Sequence, residues 1–309
     1  MVKVSAPGTS KGVTHTATVR TVDCHVDALW VHFKRQILGK EAPPPLNLTA
    51  MRSGGLCSAF FALYLPDGLQ DGMSQAEVDV AIDWQLQTFR QEFSQVGGQT
   101  HPQYVALEGC RLLGNTHPIQ RLVELASEGV KYITITHNRN NFLGDSATDK
   151  HYHKGLTALG KEIIRSADNL GFVIDISHAS DLTAKAVFRE VYAPVLATHS
   201  GVRTMVDHPR NLTDELIKAV AASKGVICVP FAKNFIGKYT VTDHIDYIIQ
   251  LTGSTSFVGI GSDLDGAEMV PACPDASYWK KVVVDGLWGK GYADVEIDKI
   301  AGLNILRVV

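Results

Sequence analysis

Along the middle of the chain two textures alternate. Short runs of β-branched and aromatic residues recur near 21–25, 56–64, 104–108, 131–136, 171–176, 194–198, 225–230 and 256–261. Between most of them, apolar residues return at helical spacing, over 75–90, 118–128, 155–170, 181–190, 213–223 and 242–251. The short runs are apolar almost without a break, as strands covered on both faces are. Eight of them with intervening helices are the number that a closed (β/α)8, TIM-like α/β barrel requires. Punctuation agrees. Thr213-Asp-Glu-Leu offers an N-cap followed by early acids. Gly129, Gly171 and Gly225 follow helical stretches, where a C′ glycine is expected before the next strand.

Two excursions interrupt the rhythm, 35–55 with Pro43-Pro44-Pro45 and 138–154. As long loops after strands one and four they are expected on the face where barrel active sites are built. Residues 1–19 read as an N-terminal arm or edge strand, and 20–309 as one catalytic domain without internal repeats. The chain of 309 residues is 45% hydrophobic and 20% charged, with a net charge of −3. No basic block gives a case for nucleic acid or an anionic membrane surface. The N-terminal residues contain no apolar core of a signal peptide, and no run approaches the ~20 apolar residues of a membrane helix. Cysteines number five, an odd count, and Cys57 and Cys228 sit inside apolar runs. They read as free thiols of a reducing, cytoplasmic protein.

The chemistry lies at the ends of the short runs. Thr21-Val-Asp-Cys-His25-Val-Asp27, Tyr104-Val-Ala-Leu-Glu108, Tyr132-Ile-Thr-Ile-Thr-His137, Phe172-Val-Ile-Asp-Ile-Ser-His178, Val195-Leu-Ala-Thr-His199 and Phe257-Val-Gly-Ile-Gly-Ser-Asp263 each finish in His, Asp or Glu. These are ligands for a borderline or hard divalent metal. His25 and Asp27, at i and i+2 of a strand, are expected to share a face. His178 and His199 each follow a very apolar strand, where a lone histidine would read as a core residue but a pair beside His25-Val-Asp27 reads as ligands. Glu108 can bridge two cations through its two oxygens, against the plain reading of a loop acid beside Gly109. Asp263 suits a ligand or a general acid/base. Asp265 with Gly266 suits a turn. His137 suits a donor to a developing oxyanion, and Arg210 a bidentate carboxylate clamp.

These residues in this order, with Ser53-Gly-Gly-Leu-Cys-Ser-Ala-Phe-Phe-Ala-Leu-Tyr, Thr136-His-Asn-Arg-Asn-Asn, His208-Pro-Arg-Asn-Leu, Gly261-Ser-Asp-Leu-Asp-Gly and Gly302-Leu-Asn-Ile-Leu-Arg, resemble the membrane (renal) dipeptidase family of zinc metallopeptidases, bacterial members in particular. The resemblance runs from about Val22 to Val309. It implies two zinc ions, one on His25 and Asp27 and one on His178 and His199, with Glu108 bridging. It implies His137 on the substrate carbonyl, Arg210 on the C-terminal carboxylate, and Asp263 as acid/base. The implied reaction is hydrolysis of a dipeptide, C-terminal D-residues included, by attack of a metal-bridging hydroxide, in a protein that is commonly a homodimer. Cys24 and Val26 depart from the family's Asp-Gly-His-Asn-Asp. Arg139 replaces a small residue, which would favour acidic dipeptides if it faces the pocket and leave specificity untouched if it faces solvent. Two competing readings are a related amidase or deacylase and a metal-site protein without activity. Related amidases bridge their metals with a lysine at the tip of strand four, where this chain has His137 and only Lys131 at the strand's start.

Overall fold

The computed structural model describes residues 19–40, 46–94 and 101–309. The arm expected over 1–19 lies outside them but for Val19, and so does Pro43-Pro44-Pro45. Eight strands form one sheet: β1 (Val22–Val26), β2 (Ser58–Leu63), β3 (Tyr104–Glu108), β4 (Val130–Thr134), β5 (Val173–Asp175), β6 (Val195–Ala197), β7 (Val226–Val229) and β8 (Val258–Ile260). They lie in that spatial order and every neighbouring pair is parallel. The seam between first and last is closed just beyond the strands. Val26 bridges Leu264, the Asp27 N–H donates to the Leu264 carbonyl at 2.8 Å, and the Asp263 N–H donates to the His25 carbonyl at 3.1 Å. This is a (β/α)8 barrel.

The expected helices are present as Gln75–Thr88, Pro118–Ser127, Ala158–Asn169, Asp181–Val187, Asp214–Ala222 and Val241–Thr252. Their buried faces and the outer sides of the strands make the larger core. A smaller cluster fills the barrel itself, with Phe60, Ala106, Tyr132, Val173, Leu196 and Val226 among its members. Ile305 joins that cluster, and Gly302 lies so close to the Arg20 carbonyl, just before β1, that a Cβ would overlap it. The C-terminal segment therefore covers the end of the barrel from which the strands start, leaving the other end for chemistry.

Thr213 caps its helix as expected, accepting from the Leu216 N–H. Gly129 and Gly171 take left-handed φ of 84° and 86°. Gly225 does not. Lys224 takes the left-handed turn at φ 63°, and Gly225 is required for space, because a Cβ there would overlap the Val195 carbonyl. The excursion after β4 is pinned internally by Asp145, which accepts from the N–H groups of Tyr152 and His153 at 2.9 and 3.0 Å. It is tied to the barrel rim by Ser146, whose hydroxyl donates to the His137 carbonyl at 2.6 Å.

Candidate metal centre

Every polar strand-end residue singled out in the sequence except Arg210, which follows β6 at a distance, lies within a few residues of a strand's C-terminal end. Glu108 is the last residue of β3, and His199 stands two residues past β6. His178 and Asp263 stand three past β5 and β8, both with left-handed backbones, φ 67° and 64°. His137 is three past β4. Residues with side chains hold a positive φ only at a cost, and such positions cluster where structure serves chemistry.

His25 and Asp27 converge, with His25 Nε2 3.7 Å from Asp27 Oδ2. The cause differs from simple alternation. The β1–β2 register slips between Asp23 and Val26, and Asp27 lies past the strand with φ −100° and ψ 22°. The irregularity re-aims His25, as bulges beside active sites do. Gly266 makes room for the pair, since a Cβ there would run into the carboxylates of both Asp27 and Asp263.

Three imidazoles then point Nε2 at one oxygen. Glu108 Oε1 lies 3.5 Å from His25, 3.1 Å from His178 and 3.5 Å from His199. Each ring has its Nδ1 engaged. His25 Nδ1 is 2.9 Å from the Tyr132 hydroxyl. That hydroxyl donates to the Cys24 carbonyl, so it accepts the ring's proton. His199 Nδ1 is 2.9 Å from Thr198 Oγ1, which itself donates to Asp175 Oδ2 at 2.7 Å. His178 Nδ1 is 3.2 Å from Asn138 Oδ1. With Nδ1 of His178 and His199 carrying the proton, their Nε2 atoms present lone pairs, the arrangement that metal-binding histidines require.

Charge follows from the burial. Burial pushes His178 and His199 well below the ordinary histidine range, which keeps them neutral. Burial would lower His25 too, but Glu108 and Asp27 outweigh it and hold it high. For Glu108 burial would raise the pKa, and the histidines win and depress it. Asp263 is lifted well above the carboxylate range by burial and by Asp27.

The residues fit a divalent metal on two counts. His25 Nε2 and Asp27 Oδ1 are buried without a hydrogen-bond partner among the described residues, which is costly unless something completes them. His178 Nε2 and His199 Nε2 stand 2.9 Å apart, and two lone pairs so close repel unless a cation shares them. The groupings His25, Asp27 and Glu108, Glu108, His178 and His199, and His25, His199 and Asp263 each bring ligand atoms within 4.8 Å of one another.

Arg210 is buried beside the Phe235 ring, 5.2 Å from its centroid, and Nε and Nη2 have no partner among the described residues. Burial brings its pKa down to about 10, so it stays charged at neutral pH. A buried guanidinium with donors unspent is an anion site. Arg139 faces outward, half exposed and paired with Asp71, so its charge is already matched at the rim. Lys131 is exposed at the start of β4, far along the strand from its tip.

Sequence reasoning passed over Tyr132, Thr198, Asp175 and Asp67. The last accepts from His137 Nδ1 at 3.0 Å. Leu63-Tyr-Leu-Pro-Asp67 obeys the same rule as the other tips, with Asp67 four residues past β2.

A family model described as membrane dipeptidase, peptidase family M19, matches residues 14–309. An uncharacterised dipeptidase of Schizosaccharomyces pombe is 34% identical over 213 residues, covering 66% of this chain and 51% of that protein. The chain spans about half the length of the curated relatives it matches. Among solved structures, the dipeptidase AC of family M19 superposes with a TM-score of 0.81 at 20% identity, covering 94% of this chain and 98% of that one. A metallo peptidase from Rhodobacter sphaeroides, liganded with a phosphinate mimic of the dipeptide L-Ala-D-Ala, superposes with a TM-score of 0.76 at 21% identity, covering 94% and 99%. At these identities the likeness speaks for the fold.

Proposed function

The chain belongs to the membrane dipeptidase family, and from that premise we propose that it is a metallo-dipeptidase that hydrolyses the single peptide bond of a free dipeptide. One observation carries the reading: three imidazoles aimed at Glu108 share the barrel mouth with a buried, underused guanidinium. The first set recruits metal. The second asks for a carboxylate.

His25 and Asp27 would hold one zinc ion, His178 and His199 a second, with Glu108 between them. When bound, such a pair acidifies water and polarises a carbonyl. The chain's own residues do the rest. Arg210 takes the substrate's C-terminal carboxylate, fixing which bond reaches the metals. His137 Nε2 faces the carbonyl oxygen as it gains negative charge. Asp263, as carboxylate, receives a proton from the attacking water and delivers it to the leaving amine nitrogen. The water oxygen ends on the new carboxylate and the C–N bond breaks. The R. sphaeroides peptidase's L-Ala-D-Ala mimic motivates extending the substrate class to C-terminal D-residues. The solvent-facing Arg139 gives no ground for an acidic preference.

Elemental analysis of purified protein is expected to give about two zinc ions per chain, with chelator-sensitive release of amino acids from L-Ala-L-Ala and L-Ala-D-Ala. Metal without cleavage would redirect the site to other amides. Arg210→Ala should cost ~2–5 kcal/mol in kcat/KM, the range for unpairing a buried charge. An amidated dipeptide cleaved as fast as the free acid would remove the clamp role.

A further inference from the structure

We propose that Asp67 is the positioning residue of His137, setting the direction of the imidazole on which carbonyl stabilisation depends. The proposal rests on the dipeptidase reading for its catalytic consequence, but its geometry stands by itself. Asp67 opens the short helix Asp67–Gln70 four residues past β2, and its side chain is 8% exposed. Asp67 Oδ2 lies 3.0 Å from His137 Nδ1. The Tyr64 ring packs against the same imidazole, centroids 4.7 Å apart, and the His178 ring lies 4.5 Å away on centroids. The ring is thus held in plane by neighbours and in rotation by the Asp67 carboxylate at Nδ1, with the Asn138 amide nitrogen 3.3 Å from Nε2.

The carboxylate does more than orient. It accepts the Nδ1–H hydrogen bond, which leaves Nε2, beside the Asn138 amide nitrogen at 3.3 Å, as the end that faces substrate. Asp67 is braced in turn by Arg111, whose Nη1 donates to the Asp67 carbonyl at 3.3 Å and whose Nη2 pairs with Asp71 at 2.7 Å. Arg139 shares Asp71, so charges of alternating sign run from the solvent-facing rim to His137. Asp67 itself touches no ligand of the metal centre among the contacts that hold it, which separates its loss from loss of metal.

The test is a double-mutant cycle read by turnover, with an imidazole N–H resonance as a second readout. Asp67→Asn and Asp67→Ala should lower kcat by about 10- to 100-fold, the range for groups that orient a functional imidazole. KM should move far less, because the loss is felt as the oxyanion forms. Zinc content should hold, and Asp67→Glu should recover part of the rate. In a His137→Gln background Asp67→Asn should cost nothing further. A kcat unchanged in Asp67→Asn, or a loss repeated in full on His137→Gln, would overturn the assignment. The His137 Nδ1 proton should give a downfield signal absent in His137→Gln and shifted or lost in Asp67→Asn. Wild-type protein that cleaves no dipeptide but keeps this Asp67-dependent signal would count against the dipeptidase reading while supporting the pair. A signal indifferent to Asp67 would end the proposal whatever the activity.

Discussion

Asp23 on β1 and Asp175 on β5 stand half a barrel apart, both fully buried, and both begin in the same way. Each accepts the backbone N–H two residues on, His25 at 3.1 Å and Ser177 at 2.9 Å. Each also accepts a backbone N–H from the adjoining strand's end, Ser262 at 2.8 Å and Thr198 at 2.9 Å. The second oxygens part company. That of Asp23 takes the Trp279 indole N–H at 2.8 Å. That of Asp175 takes two hydroxyls, Thr134 at 2.6 Å and Thr198 at 2.7 Å. Thr198 is the group that receives the His199 ring proton. One aspartate therefore fastens the barrel seam, and the other reaches through a hydroxyl to His199, a candidate metal ligand. The lesson is that equal burial and similar partner counts do not give equal roles. What matters is whether a donor can reverse.

Asp175→Asn tests this most severely. The new amide N–H would donate to Thr198 Oγ1, and the hydroxyl would turn and donate to His199 Nδ1. The ring proton would then move to Nε2, the nitrogen meant for metal. Zinc affinity should fall about 10- to 100-fold, and stability with it, as read by metal competition titration and denaturant melts. Unchanged affinity would mean the hydroxyl relay is idle.

Asp23→Asn should do less to metal and act on the fold. Beside the Ser262 hydroxyl, its donors are the N–H groups of His25, Ser262 and Trp279, which cannot reverse, and one of these must face the new amide N–H. Leaving a buried donor unmet costs ~1–3 kcal/mol, so a loss of about 2 kcal/mol in the metal-free protein is expected, with zinc affinity changed by less than about threefold. A larger loss of affinity here than in Asp175→Asn would invert the comparison.

The same contrast explains what the sequence could reveal. Strand ends deliver His25, Glu108, His178 and His199 because an apolar run followed by a ligand-type residue is a local pattern. The barrel follows from the same runs. Tyr132, Thr198 and Asp67 are ordinary in their own segments, and they matter through neighbours on other strands, 107 residues away for Tyr132 and His25. A single chain carries no mark of that pairing. The convergence of His25 and Asp27 was anticipated from alternation, yet the slip in the β1–β2 register produces it. Gly225 shows the limit in miniature: a glycine after a helix suggests a left-handed turn, but here Lys224 makes the turn and the Val195 carbonyl demands the glycine.

If burial and reversibility set the effect, a carboxylate with strong partners at the surface should matter least. Asp243 is that control. It accepts from the Thr240 N–H at 2.8 Å in a capping box and from Lys290 Nζ at 2.8 Å, with 36% of its side chain exposed. Partial burial raises its pKa, but Lys290 and the Thr240 N–H outweigh that and bring it from 3.8 to about 2. A pKa below the unfolded value means that the charged form stabilises the fold. That stability is present in full above about pH 4 and is lost as the pH falls towards about 2. Solvent and salt screen it, so Asp243→Asn should cost no more than about 1 kcal/mol at neutral pH. The cost should shrink in high salt and vanish near pH 2, as denaturant melts of the two proteins at each pH would read. A loss as large as that of Asp23→Asn would show that partner count, and not burial, ranks these three aspartates.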